Sequence, residues 1–333
     1  MEDIYYNFNK LLSYTNAFIY ICIGERGCGK TYSSKKLVLN NYLKNGKEFV
    51  YIRRYKSEIK EALKSNSFFD PVKDLFKEHK LFNDNKYFYC DDKVIGYALP
   101  LSTANILKGS EYKNVDLVIF DEFLIENATY HYLKNEVRQF LDLCETIARL
   151  RNVRFIMIAN PISVSNPYFD YLNISLPYNS TIKQFYGGLI VLEYAKNMKY
   201  REAKKETKLG RLFSQLEFGK YAIDNEFLID NKNFIKKKSS TSKFYCIIIV
   251  NNKRFGVWRD YVNGEIFISN KLNDTCKIIF ALDKDSHNES SLLEPRTSII
   301  FKALVDHYRL GCLYFESQVI KNTCIEVLLT YFR

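Results

Sequence analysis

The sequence predicts an α/β domain on a mainly parallel sheet, followed by a small helical linker and an α+β C-terminal domain. Three observations carry that expectation. The apolar run Ala17 to Ile23 feeds directly into Gly24-Glu25-Arg26-Gly27-Cys28-Gly29-Lys30-Thr31, a complete G-x-x-x-x-G-K-[ST] string. A second apolar run, Val115 to Phe120, ends in two adjacent carboxylates, Asp121 and Glu122. Past residue 240 the pattern changes to β runs followed by helical segments.

The glycine loop specifies chemistry as well as backbone. Its glycines let successive N–H groups turn inward around β- and γ-phosphates, Lys30 adds a point charge, and the Thr31 hydroxyl is placed to hold Mg²⁺. Gly24, Glu25, Arg26, Gly27, Cys28, Gly29, Lys30 and Thr31 are therefore the expected contacts to a nucleoside triphosphate. Arg26 is expected to sense or orient phosphate, and Cys28 to act as a small filler.

After the loop, Tyr32 to Tyr42 reads as a helix, Phe49 to Ile52 as a short strand, and Ser57 to Leu63 as a second helix. Between that strand and helix stand Arg53, Arg54 and Lys56, a basic cluster that reads either as a DNA-facing loop or as a surface run. Lys86 to Leu99 alternates around Asp91-Asp92-Lys93, a hairpin signal.

The strand from Val115 is apolar throughout, as a parallel sheet covered on both faces requires, and acids at its C-terminal end point into the ligand crevice of such a sheet. Asp121 is expected in the Mg²⁺ shell and Glu122 as the group that polarises an attacking water. A further strand, Val153 to Ala159, ends at Asn160-Pro161; Asn160 reads either as a sensor of the γ-phosphate or water, or as a plain turn residue. Leu189 to Leu192 closes the sheet, and charged helical sequence from Lys196 to Glu217 reads as a connector.

Beyond it, Phe244 to Val250 and Arg254 to Trp258 flank the turn Asn251-Asn252-Lys253, and Glu265 to Ile268 continues the meander. Helices are expected near Ser298 to Tyr308 and Glu316 to Leu329. Strands first and helices after make an α+β domain.

Composition narrows the class. Forty-nine Lys and Arg against 38 Asp and Glu leave a formal charge of +11 over 333 residues. Such an excess suits a polyanionic partner, since neutralising phosphates releases counterions, although a solvated surface from an A+T-biased genome reads the same way. The densest basic stretch, Lys196 to Arg211, and the run Lys236-Lys237-Lys238 flank the expected domain boundary. No apolar run approaches the roughly 20 residues of a membrane span, and the N-terminus lacks a signal-peptide pattern, so a soluble cytoplasmic chain is expected. Eight scattered cysteines without a C-x-x-C pair argue for reduced thiols and against zinc or disulfides.

About ninety residues separate Lys30 from Asp121, and the Asp is followed directly by Glu. That order resembles the additional-strand, catalytic-glutamate division of P-loop ATPases, with ATP as the nucleotide. Guanine recognition is not expected, because the nearest string to Asn-Lys-x-Asp, Asn270-Lys271-Leu272-Asn273, fails at its last position.

A closer resemblance runs through nearly the whole chain. Ile23 to Lys30, Tyr51-Ile52-Arg53-Arg54-Tyr55-Lys56, Phe120-Asp121-Glu122-Phe123, Asn166-Pro167-Tyr168-Phe169 and Gly256-Val257-Trp258 resemble, in order, the DNA-packaging ATPase of phi-29-like tailed bacteriophages. The resemblance implies a packaging ATPase domain over residues 1–197, a linker over 198–234 and an RNase H-like domain over 235–333. It also implies a homopentameric ring at the portal vertex of an empty prohead, where ATP hydrolysis translocates double-stranded DNA. Such a ring would work in the host cytoplasm, leave the mature virion without it, and in some relatives dock through a packaging RNA. Arg149 matches the family's trans-acting arginine finger, with Arg151 the alternative, and Lys108 matches the lysine that acts across the subunit interface.

Three other readings stay open: a helicase- or recombinase-like ATPase, a terminase with an active nuclease, and a basic module in which nucleotide is only a scaffold. Nuclease activity is not expected. The strand Phe244 to Val250 carries no carboxylate, and Asp260, Glu265, Asp274, Asp283 and Asp285 fall at strand ends or in polar loops.

Overall fold

The computed structural model describes residues 4–107, 112–125, 131–162, 166–176, 180–215, 234–293 and 298–329. A one-turn helix, α1 (Asn9–Leu12), precedes strand β1 (Ile19–Gly24), which is buried at every position. Helix α2 (Lys30–Asn45) starts inside the glycine loop and stops at Gly46, whose φ of 66° is a left-handed C-cap. Strand β2 (Glu48–Arg53) leads into α3 (Lys56–Ala62), whose first turn is closed by Glu58 accepting from the Tyr55 N–H at 2.7 Å.

Strands β3 (Leu81–Asn83), β4 (Tyr87–Cys90) and β5 (Lys93–Pro100) form an antiparallel edge, with Asp91 and Asp92 both at positive φ in the expected hairpin turn. Then come β6 (Val115–Asp121), α4 (Glu136–Ala148), β7 (Arg154–Ala159), α5 (Pro167–Tyr171), β8 (Ile182–Phe185), β9 (Ile190–Ala195), α6 (Met198–Glu206) and α7 (Lys208–Phe213).

The strand order is β3-β4-β5-β2-β6-β7-β1-β9-β8. From β5 to β9 every neighbour runs parallel. Strand β7 therefore stands between the loop strand β1 and the acid strand β6, as the additional strand of that ATPase division does, and it comes after Asp121 in the chain rather than from the residues between Lys30 and Asp121. Side chains of β1 alternate between two cores: Ile19, Ile21 and Ile23 join Phe120, Phe140 and Phe155 on one face, and Tyr20 and Cys22 join Leu39, Phe68 and Phe88 on the other. Burial on both faces is why these strands read as unbroken apolar runs.

The chain divides into two compact units, residues 1–228 and 229–333. In the second, β10 (Lys243–Val250), β11 (Lys253–Asp260), β12 (Glu265–Ser269), β13 (Ile279–Ala281) and β14 (Leu292–Leu293) precede α8 (Ile299–Arg309), β15 (Leu313–Phe315) and α9 (Gln318–Leu329). The sheet order is β14-β13-β10-β11-β12-β15. Cys246, Ile248 and Val250, spaced by two, meet Phe301, Leu304, Ile320 and Cys324 from the helices in a single core. This is the α+β unit the sequence leads one to expect.

All eight cysteines are free thiols. One of them, Cys90, has other metal-ligand types beside it: His79, Cys90 and Asp91 present ligand atoms within 4.8 Å of one another. There Asp91 bonds the His79 ring at 2.7 Å and the Lys80 N–H at 2.9 Å, closing the hairpin. Among the described residues, no helix is long and apolar enough to cross a membrane.

Candidate active site

At the end of β1 the backbone reverses through Gly27 (φ 79°) and Gly29 (φ 100°), positions that a side chain would strain. The turn leaves Lys30 buried, its Nζ donating to Gly24 O at 2.6 Å, Glu25 O at 2.7 Å and Asn160 Oδ1 at 3.2 Å. Asn160 reaches Lys30 because β7 lies beside β1. The N-terminal segment braces the loop from outside, with the Tyr6 N–H donating to Cys28 O at 2.8 Å and Ser33 Oγ donating to Tyr6 O. Burial pushes the Cys28 thiol up, away from the reactive thiolate, as suits a small filler.

The acid strand delivers its carboxylates to the same cleft. Thr31 Oγ1 lies 3.1 and 3.3 Å from the two Asp121 oxygens, and Tyr51 on β2 donates its hydroxyl to Asp121 at 3.1 Å. Glu122 follows at a positive φ of 54°. That turn throws Glu122 out into the cleft while returning Phe123 to the core, and its backbone N–H bonds Asp121 Oδ1 at 3.1 Å. Strained backbone of this kind persists where surrounding structure enforces it. Arg53, at the end of β2, donates to Glu122 Oε2 at 2.5 Å and lies 4.0 Å from Asp121. Desolvation at the cleft lifts the Glu122 carboxyl above its ordinary value, and Arg53 pulls it the other way.

Arg26, Gly27, Gly29, Lys30, Thr31, Tyr32, Asp121, Glu122, Ala159 and Asn160 line one cleft of about 380 Å³. A hydroxyl beside a carboxylate, with room for phosphate and water, is an oxygen donor set that fits Mg²⁺.

The neighbouring arginine takes a different path. Arg54 is buried, its Nε and Nη2 meeting Glu136 at 2.8 and 3.0 Å, while Tyr168 donates to the same carboxylate at 2.7 Å. Arg54 also donates to Phe123 O, so the network fixes the turn that carries Glu122. Neither arginine is part of a solvated surface run, their side chains being 14% and 2% exposed. Each is held by an acid that follows β6 in the chain, a pairing no local pattern reveals.

At the far end of α4, Arg149 has φ 50° and ψ −114°, and the Arg151 N–H closes the turn onto Ala148 O at 2.8 Å. That conformation is normally left to glycine. The Arg149 side chain is exposed and has no hydrogen bond or ion pair among the described residues, and Leu150 beside it is fully exposed. Arg151 is spent internally, donating to Lys113 O at 2.8 Å, Val115 O at 2.6 Å, Tyr112 O at 2.7 Å and Ile147 O. Lys108 lies outside the described residues.

The family model for the Podovirus DNA encapsidation protein (Gp16) matches residues 1–331. The chain belongs to this encapsidation family. The DNA packaging protein of Bacillus phage phi29 is 34% identical over 329 residues, covering 98% of this chain and 97% of that protein. Its counterpart from Bacillus phage B103 is 32% identical over 320 residues, covering 95% of this chain and 98% of that one. Among solved structures, a chain of the bacteriophage Phi-29 viral genome packaging motor assembly aligns with a TM-score of 0.81 at 33% identity, covering 99% of this chain and 100% of that chain. The N-terminal domain of the DNA packaging ATPase from bacteriophage phi29 aligns at 0.54 and 36% identity, over 59% of this chain and 98% of that one.

In this member of the family the structure thus gathers Arg26, Gly27, Gly29, Lys30, Thr31, Asp121, Glu122 and Asn160 at one cleft, with Arg26 exposed at its rim, whereas Gly24, Glu25 and Cys28 of the expected contacts are buried behind it. Sequence reasoning missed Tyr51 and Arg53 as partners of the acids. The signal available was their place at the end of a strand that the topology sets beside β6. The segment from Lys196 to Glu217 reads in the sequence as a connector, and the structure adds that its first helix, α6, rests on the glycine loop through Arg201 and Lys204.

Proposed function

We propose that the chain is a subunit of an ATP-driven motor that translocates double-stranded viral DNA into a preformed prohead. The observation that carries this reading is the meeting of Lys30, Thr31, Asp121 and Glu122 in one cleft, in a member of a DNA encapsidation family. Lys30 and the loop N–H groups bind the β- and γ-phosphates. Thr31 and Asp121 are the groups that would hold Mg²⁺, which supplies charge neutralisation to the phosphates when bound. Glu122 orients and polarises the attacking water through the oxygen that Arg53 leaves free, and Asn160, which lines the same cleft beside Lys30, is the candidate sensor of the γ-phosphate or that water.

Arg149, unpartnered among the described residues and flanked by exposed Leu150, suits insertion into a neighbouring copy's site as the trans finger of a ring, which would be homopentameric. Lys108 keeps its proposed role across the same interface. The ring would dock at the portal vertex, directly or through a packaging RNA, in the host cytoplasm, and be absent from the mature virion. Residues 198–234 would link the ATPase part, 1–197, to 235–333. That last part would hold nucleic-acid backbone or the prohead, since Lys237, Lys243 and Arg254 are exposed beside its sheet, and it would not cut DNA.

The test is ATP turnover of the purified chain with and without duplex DNA. Turnover should rise with DNA. Glu122→Gln should keep ATP binding and lose about 10²–10⁴ in rate, the span a positioned general base supplies, while Lys30→Ala should lose nucleotide affinity as well. Near-normal turnover by Glu122→Gln would remove the catalytic assignment.

A further inference from the structure

Helix α6 grips the phosphate loop by one face. Asn197, Tyr200, Arg201 and Lys204, spaced three and four apart, are the residues that reach it. Arg201 donates to Glu25 Oε1 from Nη2 at 2.7 Å and from Nε at 3.2 Å, and the Asn197 N–H lies 3.4 Å from the same oxygen. Lys204 Nζ donates to Arg26 O at 3.3 Å, and the Tyr200 hydroxyl stands 2.6 Å from where a Cβ on Gly27 would be. Three successive loop residues are thus touched by one helix.

Glu25 is the unusual member. Its side chain is 1% exposed and its Oε2 is buried with no hydrogen-bond partner among the described residues. A buried carboxylate is costly unless paired. Here it also places a negative charge one residue from the first glycine of a loop built to receive phosphates, where like charges oppose each other. The Glu25 position is one of the variable x positions of the loop pattern, so the phosphate site itself does not ask for an acid there.

We propose that Arg201 is a positioning residue for nucleotide binding: its guanidinium neutralises the buried Glu25 carboxylate, and so lets the loop accept a triphosphate while tying that loop to α6. The inference rests on the reading that the loop binds ATP. Because Arg201 acts through Glu25, removing the arginine should leave an uncompensated anion beside the phosphates. Removing the charge of Glu25 as well should relieve the defect.

The experiment is calorimetric titration of full-length protein with ATPγS and with inorganic tripolyphosphate, for wild type, Arg201→Ala, Arg201→Lys, Glu25→Gln and the double variant Glu25→Gln/Arg201→Ala. Arg201→Ala should weaken both ligands about tenfold or more, a change typical of leaving one partner of a buried pair uncompensated. Arg201→Lys and the double variant should return to within about threefold of wild type. In steady-state turnover the Arg201→Ala defect should fall on KM for ATP with kcat at saturation nearly kept. A role limited to docking the helix would leave the double variant as weak as Arg201→Ala, and that result overturns the inference. Equal affinity of Arg201→Ala and wild type overturns it too. Wild-type protein that binds neither ligand would instead sink the nucleotide reading on which it rests.

Discussion

At the scale of single residues, the site is decided by which charge meets which. Lys30, Thr31, Asp121 and Glu122 were legible because their spacing along one strand and one loop is local. Arg53 was not, since its meaning comes from β2 lying beside β6, and that adjacency is a property of the sheet. The Arg53–Glu122 contact has a measurable consequence. Glu122 must be ionised to polarise water, its carboxyl is raised by desolvation, and Arg53 opposes that rise. Turnover should therefore fall as pH drops through a value above the ordinary one for glutamate, and Arg53→Ala should move that acid limb to higher pH. An unmoved limb in a pH profile of kcat would show that Glu122 does not feel Arg53. The two arginines of the α4 turn also separate. Arg149→Ala should abolish turnover without lowering the melting temperature, whereas Arg151→Ala, which frees four backbone carbonyls, should lower it. If Arg149 serves the next subunit, mixing Arg149→Ala with Glu122→Gln protein should restore part of the activity through interfaces pairing an intact Arg149 with an intact Glu122. A mixture that co-assembles and stays inactive would argue against the trans role.

At the scale of elements, the long strands were readable and the short ones were not. β1, β6 and β7 are apolar runs because both faces are covered, and β10 to β12 are apolar runs separated by asparagine and glycine turns. β3, β8, β13, β14 and β15 have two to four residues each. Their pairing is supplied by a neighbour in the sheet, and too few residues remain to show a period. α6 was read as helical, yet its contact with the glycine loop was invisible because a basic amphipathic stretch does not say which acid it will meet. In the second unit Asp260, at the end of β11, accepts from Ser239, Thr241 and Asn263 side chains and from the Val262 and Asn263 N–H groups. Hydrogen bonds from Ser239, Asn263 and Thr241 hold its carboxyl well below the usual range. A depressed carboxylate contributes stability above about pH 4 that is lost as pH falls through the folded value. Asp260→Ala should lower the melting temperature at pH 7 and lose less on acidification than wild type. An acid so fully engaged is also poorly placed for a metal site, which is one reason for the proposal that this sheet does not cut DNA. Manganese-dependent plasmid cleavage by the wild-type chain, abolished by Asp260→Ala, would reverse that view.

At the scale of the whole molecule, the order of parts carried the reading: a glycine loop, an acid-tipped strand, an added strand, a basic segment and a second α+β unit. The +11 charge alone could not separate a nucleic-acid partner from a merely basic surface. Membership of the encapsidation family, spanning residues 1–331, is what favours DNA. The motor must grip any stretch of genome, so binding is expected to rest on backbone phosphates rather than bases. The direct measurement is DNase-protected DNA in purified proheads supplied with this protein, duplex DNA and ATP. Wild type should protect DNA only while ATP is hydrolysed, and Glu122→Gln, still binding ATP, should protect none. Protection that persists with Glu122→Gln, or that proceeds without ATP, would contradict a hydrolysis-driven motor.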